Sequence, residues 1–309
     1  MTIEEMNEIN NNGLFLGNYQ VVDIIGVGNE SYIYKAYDEE TKSYYAIKKI
    51  YNVGNENYGD LVLNTVETHP NIVNLLKVFD KKILCFEFID GINVCDYLYE
   101  EGYFIQIDEI ITMLCNISSA LSFCHEHQII HNDIHSENII RKSDGEYILL
   151  DFGSSKLLNN NATQQALEHL KVFNKKRKEP IQWSRDIGLE FLAPEKWDDR
   201  EKCSMQTDIY SLGILMFECL TGKVPFVFSR NESYEMARQL LMNAHKYSVP
   251  PPIFPLRKNA YEKKYRKKYE KDYPEWLETV ILKCLDKKSE KRFSCGKELF
   301  DFVYNNTNC

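Results

Sequence analysis

QIIHNDIHSENII runs from Gln128 to Ile140, and its polar centre, HNDIHSEN (131–138), decides how the rest of the chain is read. Two histidines, two carboxylates and two asparagines stand within eight positions between apolar pairs. Three readings compete: a catalytic loop, a metal site and a polar turn. His131 and His135 are four apart and would share a helix face as zinc ligands. A zinc site would need further ligands at matching spacing, so this reading is the weakest.

The flanks favour the catalytic loop. Asp133 and Asn138 are five apart, and thirteen residues beyond Asn138 the apolar run of ILLDFGSSK (148–156) delivers Asp151, followed by Phe-Gly. A carboxylate and an amide oxygen at two strand ends suit a hard cation such as Mg²⁺. Asp133 is then left to meet a substrate hydroxyl. Upstream, YYAIKKI (44–50) carries Lys48 on a strand-like run. An inward lysine is costly unless it meets a negative partner; the alternative is that Lys48 and Lys49 both lie at the surface. Further upstream, IIGVGNESYIYKAY (24–37) sets Gly26, Gly28 and Ser31 between two strand-like runs. Glycines there let backbone N–H groups approach phosphate oxygens. A plain hairpin turn is the competing account. A helix after the glycines would suggest a dinucleotide site, whereas a following strand fits a flap over a nucleotide.

From Tyr19 the chain reads as short strands: YQVVDIIG, SYIYKAY, YYAIKKI, NIVNLLKVF and ILCFEFI, with room for only a short helix between Asn52 and Thr68. After Asp90-Gly91 helical spacing takes over. DEIITMLCNISSALSFCHEH (108–127) has Asp108 as an expected N-cap, and helices resume from about Thr207. The expected fold class is α+β, with a β-rich N-terminal lobe over about 18–88, a hinge near 87–91 and a mainly helical lobe over about 92–305. Residues 1–17 are expected to form a flexible leader.

Bulk properties agree with a globular protein. The 309 residues are 44% hydrophobic and 27% charged, and the net charge of −9 argues against nucleic-acid or anionic-membrane partners. Nine scattered cysteines suggest reduced thiols and a cytoplasmic setting. The acidic start, MTIEEMNEINNNG, is unlike a signal peptide. No apolar run is expected to reach membrane-spanning length; IYSLGILMFECL (209–220) reads as a buried core helix.

In order, GVGNES, AIK, HNDIHSEN, DFG and FLAPE (191–195) resemble the signature set of the eukaryotic-type (Hanks-type) serine/threonine protein kinases. TDIYSLGILMFECLTGKVPF (207–226) and Arg292 in KKSEKRFS extend the likeness over about residues 18–305. The resemblance implies a two-lobed enzyme that transfers the γ-phosphate of ATP, with Mg²⁺, to protein Ser/Thr hydroxyls. Lys48 would hold the α- and β-phosphates, Asn138 and Asp151 the Mg²⁺, and Asp133 the acceptor hydroxyl. Gly26, Val27, Gly28, Asn29, Ser31, Ile33 and Ala46 would line the nucleotide. Phe86 resembles the gatekeeper, and Glu87 and Ile89 would offer backbone groups to adenine. Glu195 would pair with Arg292, and Asp208 would hold the catalytic-loop backbone.

Departures from the family pattern carry expectations too. Asn132 replaces an arginine that pairs with an activation-segment phosphate, so activity independent of such phosphorylation is expected. His135 replaces a lysine beside the transferring phosphate; a histidine there also resembles small-molecule phosphotransferases, which stand as the alternative function. A nucleotide-binding pseudokinase scaffold is the third reading. Counting back from HPNIV, the helix acid facing Lys48 falls on Asp60, with Glu56 as the other candidate. DIGLEFLAPE (186–195) lacks the expected threonine, and the basic run KVFNKKRKEP (171–180) reads as a solvated loop ahead of a substrate-recruiting one. YEKKYRKKYEKDY (261–273) places tyrosines every four residues, as on one helix face.

Overall fold

A computed structural model describes residues 15–16, 18–28, 31–51, 58–80, 82–158, 187–199, 202–227 and 233–307. Asn29, Glu56 and the basic run 171–180 lie outside the described residues, as does the leader apart from Phe15 and Leu16. Those two form strand β1 and pair with Gln20 and Tyr19, so the ladder begins inside the stretch expected to be a free leader.

The N-terminal lobe is a six-stranded antiparallel sheet of order β1-β2-β3-β4-β6-β5. It comprises β2 (Tyr19–Val27), β3 (Ser31–Asp38), β4 (Ser43–Ile50), β5 (Leu75–Asp80) and β6 (Ile83–Glu87), with the single-turn helix α1 (Tyr58–Leu61) between β4 and β5. The β-branched and aromatic residues of these strands suit a pleated, half-buried surface. Period-two alternation divides them between two faces. Val21, Tyr34, Ala36, Ile47 and Cys85 pack on one; Leu61, Val73, Leu84, Phe86 and Ile148 pack on the other. Register places Ile33 opposite Lys48, Lys48 opposite Leu84, and Ala46 opposite Phe86. Ile33, Ala46, Lys48 and Phe86 therefore share the face that looks toward the second lobe. Ile47 and Lys48 are both buried because both faces of β4 are covered.

After the short strand β7 (Gly91–Asn93) and helix α2 (Val94–Glu100), the second lobe is built on α3 (Ile107–Glu126) and α4 (Met205–Thr221). Helices α5 (Tyr234–Tyr247), α6 (Ile253–Tyr265), α7 (Glu275–Cys284) and α8 (Gly296–Thr307) pack around them. Its core includes Leu114, Leu121, Ile214, Phe217, Ile281 and Leu299. Helix α4 is buried on nearly every side, as its apolar sequence demands, and begins where the Ser204 N–H donates to Thr207 Oγ1.

Several expectations are corrected here. Asp108 lies inside the first turn of α3; the residue before the helix is Gln106, whose side chain makes no cap bond. By length and mean hydropathy (1.3), α3 does reach membrane-spanning proportions, although ten of its residues are buried in the lobe. The tyrosine series does not share one helix, because α6 ends at Tyr265 and Arg266 caps it in a left-handed conformation. The rings still cluster: Tyr261 contacts Tyr265 and Tyr269, and Phe104 packs against Tyr261 and Tyr265. Among the described residues Cys85, Cys95, Cys124, Cys203, Cys219, Cys284 and Cys295 are free thiols.

Candidate active site

The chain between Asn138 and Asp151 is a hairpin of β8 (Ile139–Lys142) and β9 (Tyr147–Leu149), with Ile139 opposite Leu149. This pairing folds thirteen residues back on themselves. The Leu150 N–H donates to the Asn138 carbonyl (2.8 Å), and Asn138 and Asp151 emerge side by side at the open end. Asp151 sits at φ 54°, a left-handed conformation that a non-glycine residue adopts at a cost.

Above this end stands Lys48. Its Nζ lies 2.7 Å from Asp60 Oδ2 and 2.7 Å from Asp151 Oδ1. Burial opposes the lysine's charge, but the two carboxylates outweigh it and raise its pKa. Burial raises Asp60, with Lys48 opposing. Asp151 also feels burial, yet Lys48 and the Gly153 N–H, which donates to it (3.1 Å), hold it below the ordinary carboxylate value. Of the two expected acids, Asp60 is brought to Lys48, and Glu56 lies outside the described residues.

Asp133 is held from beneath. Asp208, at the start of α4, accepts the N–H groups of His131 (2.8 Å) and Asn132 (2.7 Å), and lies 3.1 Å from His125 Nε2. These bonds secure the tight turn in which Asn132 takes φ 70°. Asn138 Nδ2 donates to the Asp133 carbonyl (2.9 Å), which leaves the amide oxygen as an acceptor. His135 Nδ1 accepts the Glu137 N–H (3.3 Å), and Nε2 stands 3.8 Å from Asp133 Oδ2. Burial works against a charge on this imidazole, but Asp133 prevails and raises its pKa. His131 Nε2 instead bonds the Leu150 carbonyl (2.8 Å), so the two histidines serve different partners and do not converge as zinc ligands.

Asn132 also joins two segments distant in sequence. Its Nδ2 donates to the Ser154 carbonyl (2.9 Å), and its Oδ1 accepts from Lys196, the residue after Ala193-Pro194-Glu195. Burial lowers the Lys196 pKa. A cavity lined by Asn132, Asp133, Gly188, Phe191, Lys196 and Ser211 opens beside the Asp133 carboxylate. The sequence reading missed Lys196, because its contact spans 64 positions and leaves no local pattern. Arg292 meets Glu195 through two bonds (2.8 and 2.9 Å) and also donates to the carbonyls of Gln206 and Asp286.

At the other edge of the cleft, Phe86 is buried in β6 and Ile89 packs partly against the same cluster. The Glu87 carboxylate accepts the Asn74 N–H (2.7 Å). Gly26 pairs with Ile33, Val27 is exposed, and the Gly28 N–H closes the turn on the Ser31 carbonyl (2.9 Å).

A sheet lobe and a helical lobe, with a lysine–carboxylate set facing a polar loop across the cleft, define a kinase-type fold. A family profile described as "Protein kinase domain" matches residues 19–302, and the chain belongs to that family. It is 24% identical over 306 residues to the Lactococcus lactis protein named "Probable serine/threonine-protein kinase PknB", covering 95% of this chain and 43% of that one. It is 29% identical to mouse sperm motility kinase 2B, covering 76% of this chain and 45% of the relative. With the Arabidopsis thaliana serine/threonine-protein kinase AtPK1/AtPK6 it shares 29% identity, over 70% and 44% of the two lengths. The chain thus spans less than half the length of these relatives.

Proposed function

We propose that this protein is an ATP-dependent protein kinase that phosphorylates serine and threonine hydroxyls. The observation that carries the reading is the convergence of Lys48, Asp151, Asn138 and Asp133 from two lobes on one cleft. Phosphoryl transfer needs little covalent chemistry from the protein; it needs positioning and charge neutralisation.

In this reading the ammonium of Lys48 binds α- and β-phosphate oxygens, and Asp60 keeps it charged and in place. Gly26, Val27, Gly28 and Ser31 form the flap over the phosphates. Ile33, Ala46 and Phe86 line the base, with backbone groups of Glu87 and Ile89 at its edge. Asp151 and the Asn138 amide oxygen are hard oxygen donors side by side, which fits Mg²⁺. When bound, Mg²⁺ supplies charge neutralisation on the phosphates. Asp133 orients the acceptor hydroxyl and takes its proton, and His135 adds a cation beside the transferred group.

The test is transfer from radiolabelled ATP to generic protein substrates beside a metabolite panel. Labelled protein serine and threonine is the expected outcome. Label on a small molecule alone would move the chain to the small-molecule phosphotransferases, and no label anywhere would leave a nucleotide-binding scaffold.

A further inference from the structure

The acid that meets Lys48 is an aspartate on a helix of a single turn, and the residue before it is Gly59. A Cβ placed on Gly59 would lie 2.2 Å from the Phe152 carbonyl oxygen, 2.5 Å from that of Gly153 and 2.7 Å from the Gly153 carbonyl carbon. These are main-chain atoms with no flexible end to swing aside. The glycine is absent from the positive-φ residues, so backbone conformation does not require it. Space does: the missing Cβ lets α1 rest directly on the turn after Asp151. Ser155 Oγ fastens the contact by donating to the Gly59 carbonyl (3.0 Å).

We propose that Gly59 is a positioning residue matched to Asp60: it lets α1 approach the Phe152–Gly153 backbone closely enough for a short acid to reach Lys48. The dimensions agree. Relieving the contact with the Phe152 oxygen would push α1 outward by about 1 Å, comparable with the one C–C bond, about 1.5 Å, by which glutamate exceeds aspartate. Lys48, Asp60 and Asp151 then move as a unit, because α1 bears on the segment that carries Asp151. The inference rests on the kinase reading for its effect on turnover, though not for its effect on packing.

The test compares the full chain with Gly59→Ala, Asp60→Glu and the double variant, by protein phosphorylation kinetics and by thermal melting without nucleotide. Gly59→Ala should lower kcat by about 100-fold, the scale of a 1 Å misplacement, and should lower the melting temperature. Alanine is the better helix former, so without the contact the melting temperature would rise instead. Asp60→Glu alone should also lose activity, since the extra C–C bond has to be taken up at a buried carboxylate already 2.7 Å from Lys48. The double variant should recover most of both losses, because the longer acid spans the displaced helix. Gly59→Ala as active and as heat-stable as the native chain would overturn the proposal, as would a double variant no better than Gly59→Ala. A native chain that phosphorylates nothing would remove the kinase reading, and the melting comparison would still decide the Gly59–Asp60 match.

Discussion

Lys48 and Asp60 are joined by a 2.7 Å ion pair whose side chains are 8% and 1% exposed. A pair so far from water is strong when complete and costly when broken. Asp60→Ala leaves Lys48 only Asp151, so ATP-dependent turnover should fall by roughly 100-fold. Steady-state kinetics of the purified variant check this, and near-native turnover would remove Asp60 from the site.

Asp133 stands at the cleft, and its backbone position is set by Asp208 and Asn138. On the proposed reading, Asp133→Asn keeps the shape and removes the base. Turnover should drop by about 10²- to 10⁴-fold, while ATP affinity measured by calorimetry stays near the native value.

His135 introduces a pH dependence of definite sign. Its folded pKa is raised above the ordinary 6.5, with burial opposing and Asp133 prevailing. The proton is therefore held more tightly in the folded state. The stability this confers is fully present below about pH 6.5 and is lost as pH rises through the raised folded value. Denaturation of native and His135→Gln chains should show a gap that narrows as pH is raised. Turnover should decline over the same range in the native chain and stay level in His135→Lys.

Asn132 ties the catalytic loop to Ser154 and Lys196 without a phosphate. Phosphatase treatment should therefore leave turnover unchanged. Asn132→Ala, which removes both ties, should lower kcat with little effect on the KM for ATP. Loss of activity on dephosphorylation, restored by rephosphorylation of the activation segment, would count against this reading.

Arg292 and Glu195 brace the helical lobe. The guanidinium is fully buried and makes two bonds to the carboxylate. Arg292→Ala strands Glu195 and the carbonyls of Gln206, Asp286 and Lys287, and should cost about 3–5 kcal/mol of folding stability in chemical denaturation.

The residues that were legible in the sequence share a property: their neighbours in space follow from local periodicity. Alternation along 44–50 placed Lys48 on one face of a strand, and the apolar run at 148–150 announced a strand ending at Asp151. Counting back from HPNIV reached Asp60. Periodicity misled where an end was decided by backbone conformation, as at Arg266, which stops the helix that the tyrosine spacing seemed to continue. The close approach of α1 was invisible, because a glycine in a polar stretch reads as an ordinary turn until the carbonyls of Phe152 and Gly153 are seen against it.

By itself, the sequence determined the family, the order of strands and helices, and the four residues that converge on the cleft. Those depend on residue type, spacing and alternation, which are local. Only the tertiary structure decided that Asp60 is the acid on Lys48, that Lys196 reaches Asn132, and that Gly59 has no room for a side chain. Each is a contact between segments 12 to 94 positions apart, and packing at atomic distance, unlike periodicity, leaves no repeating mark along the chain.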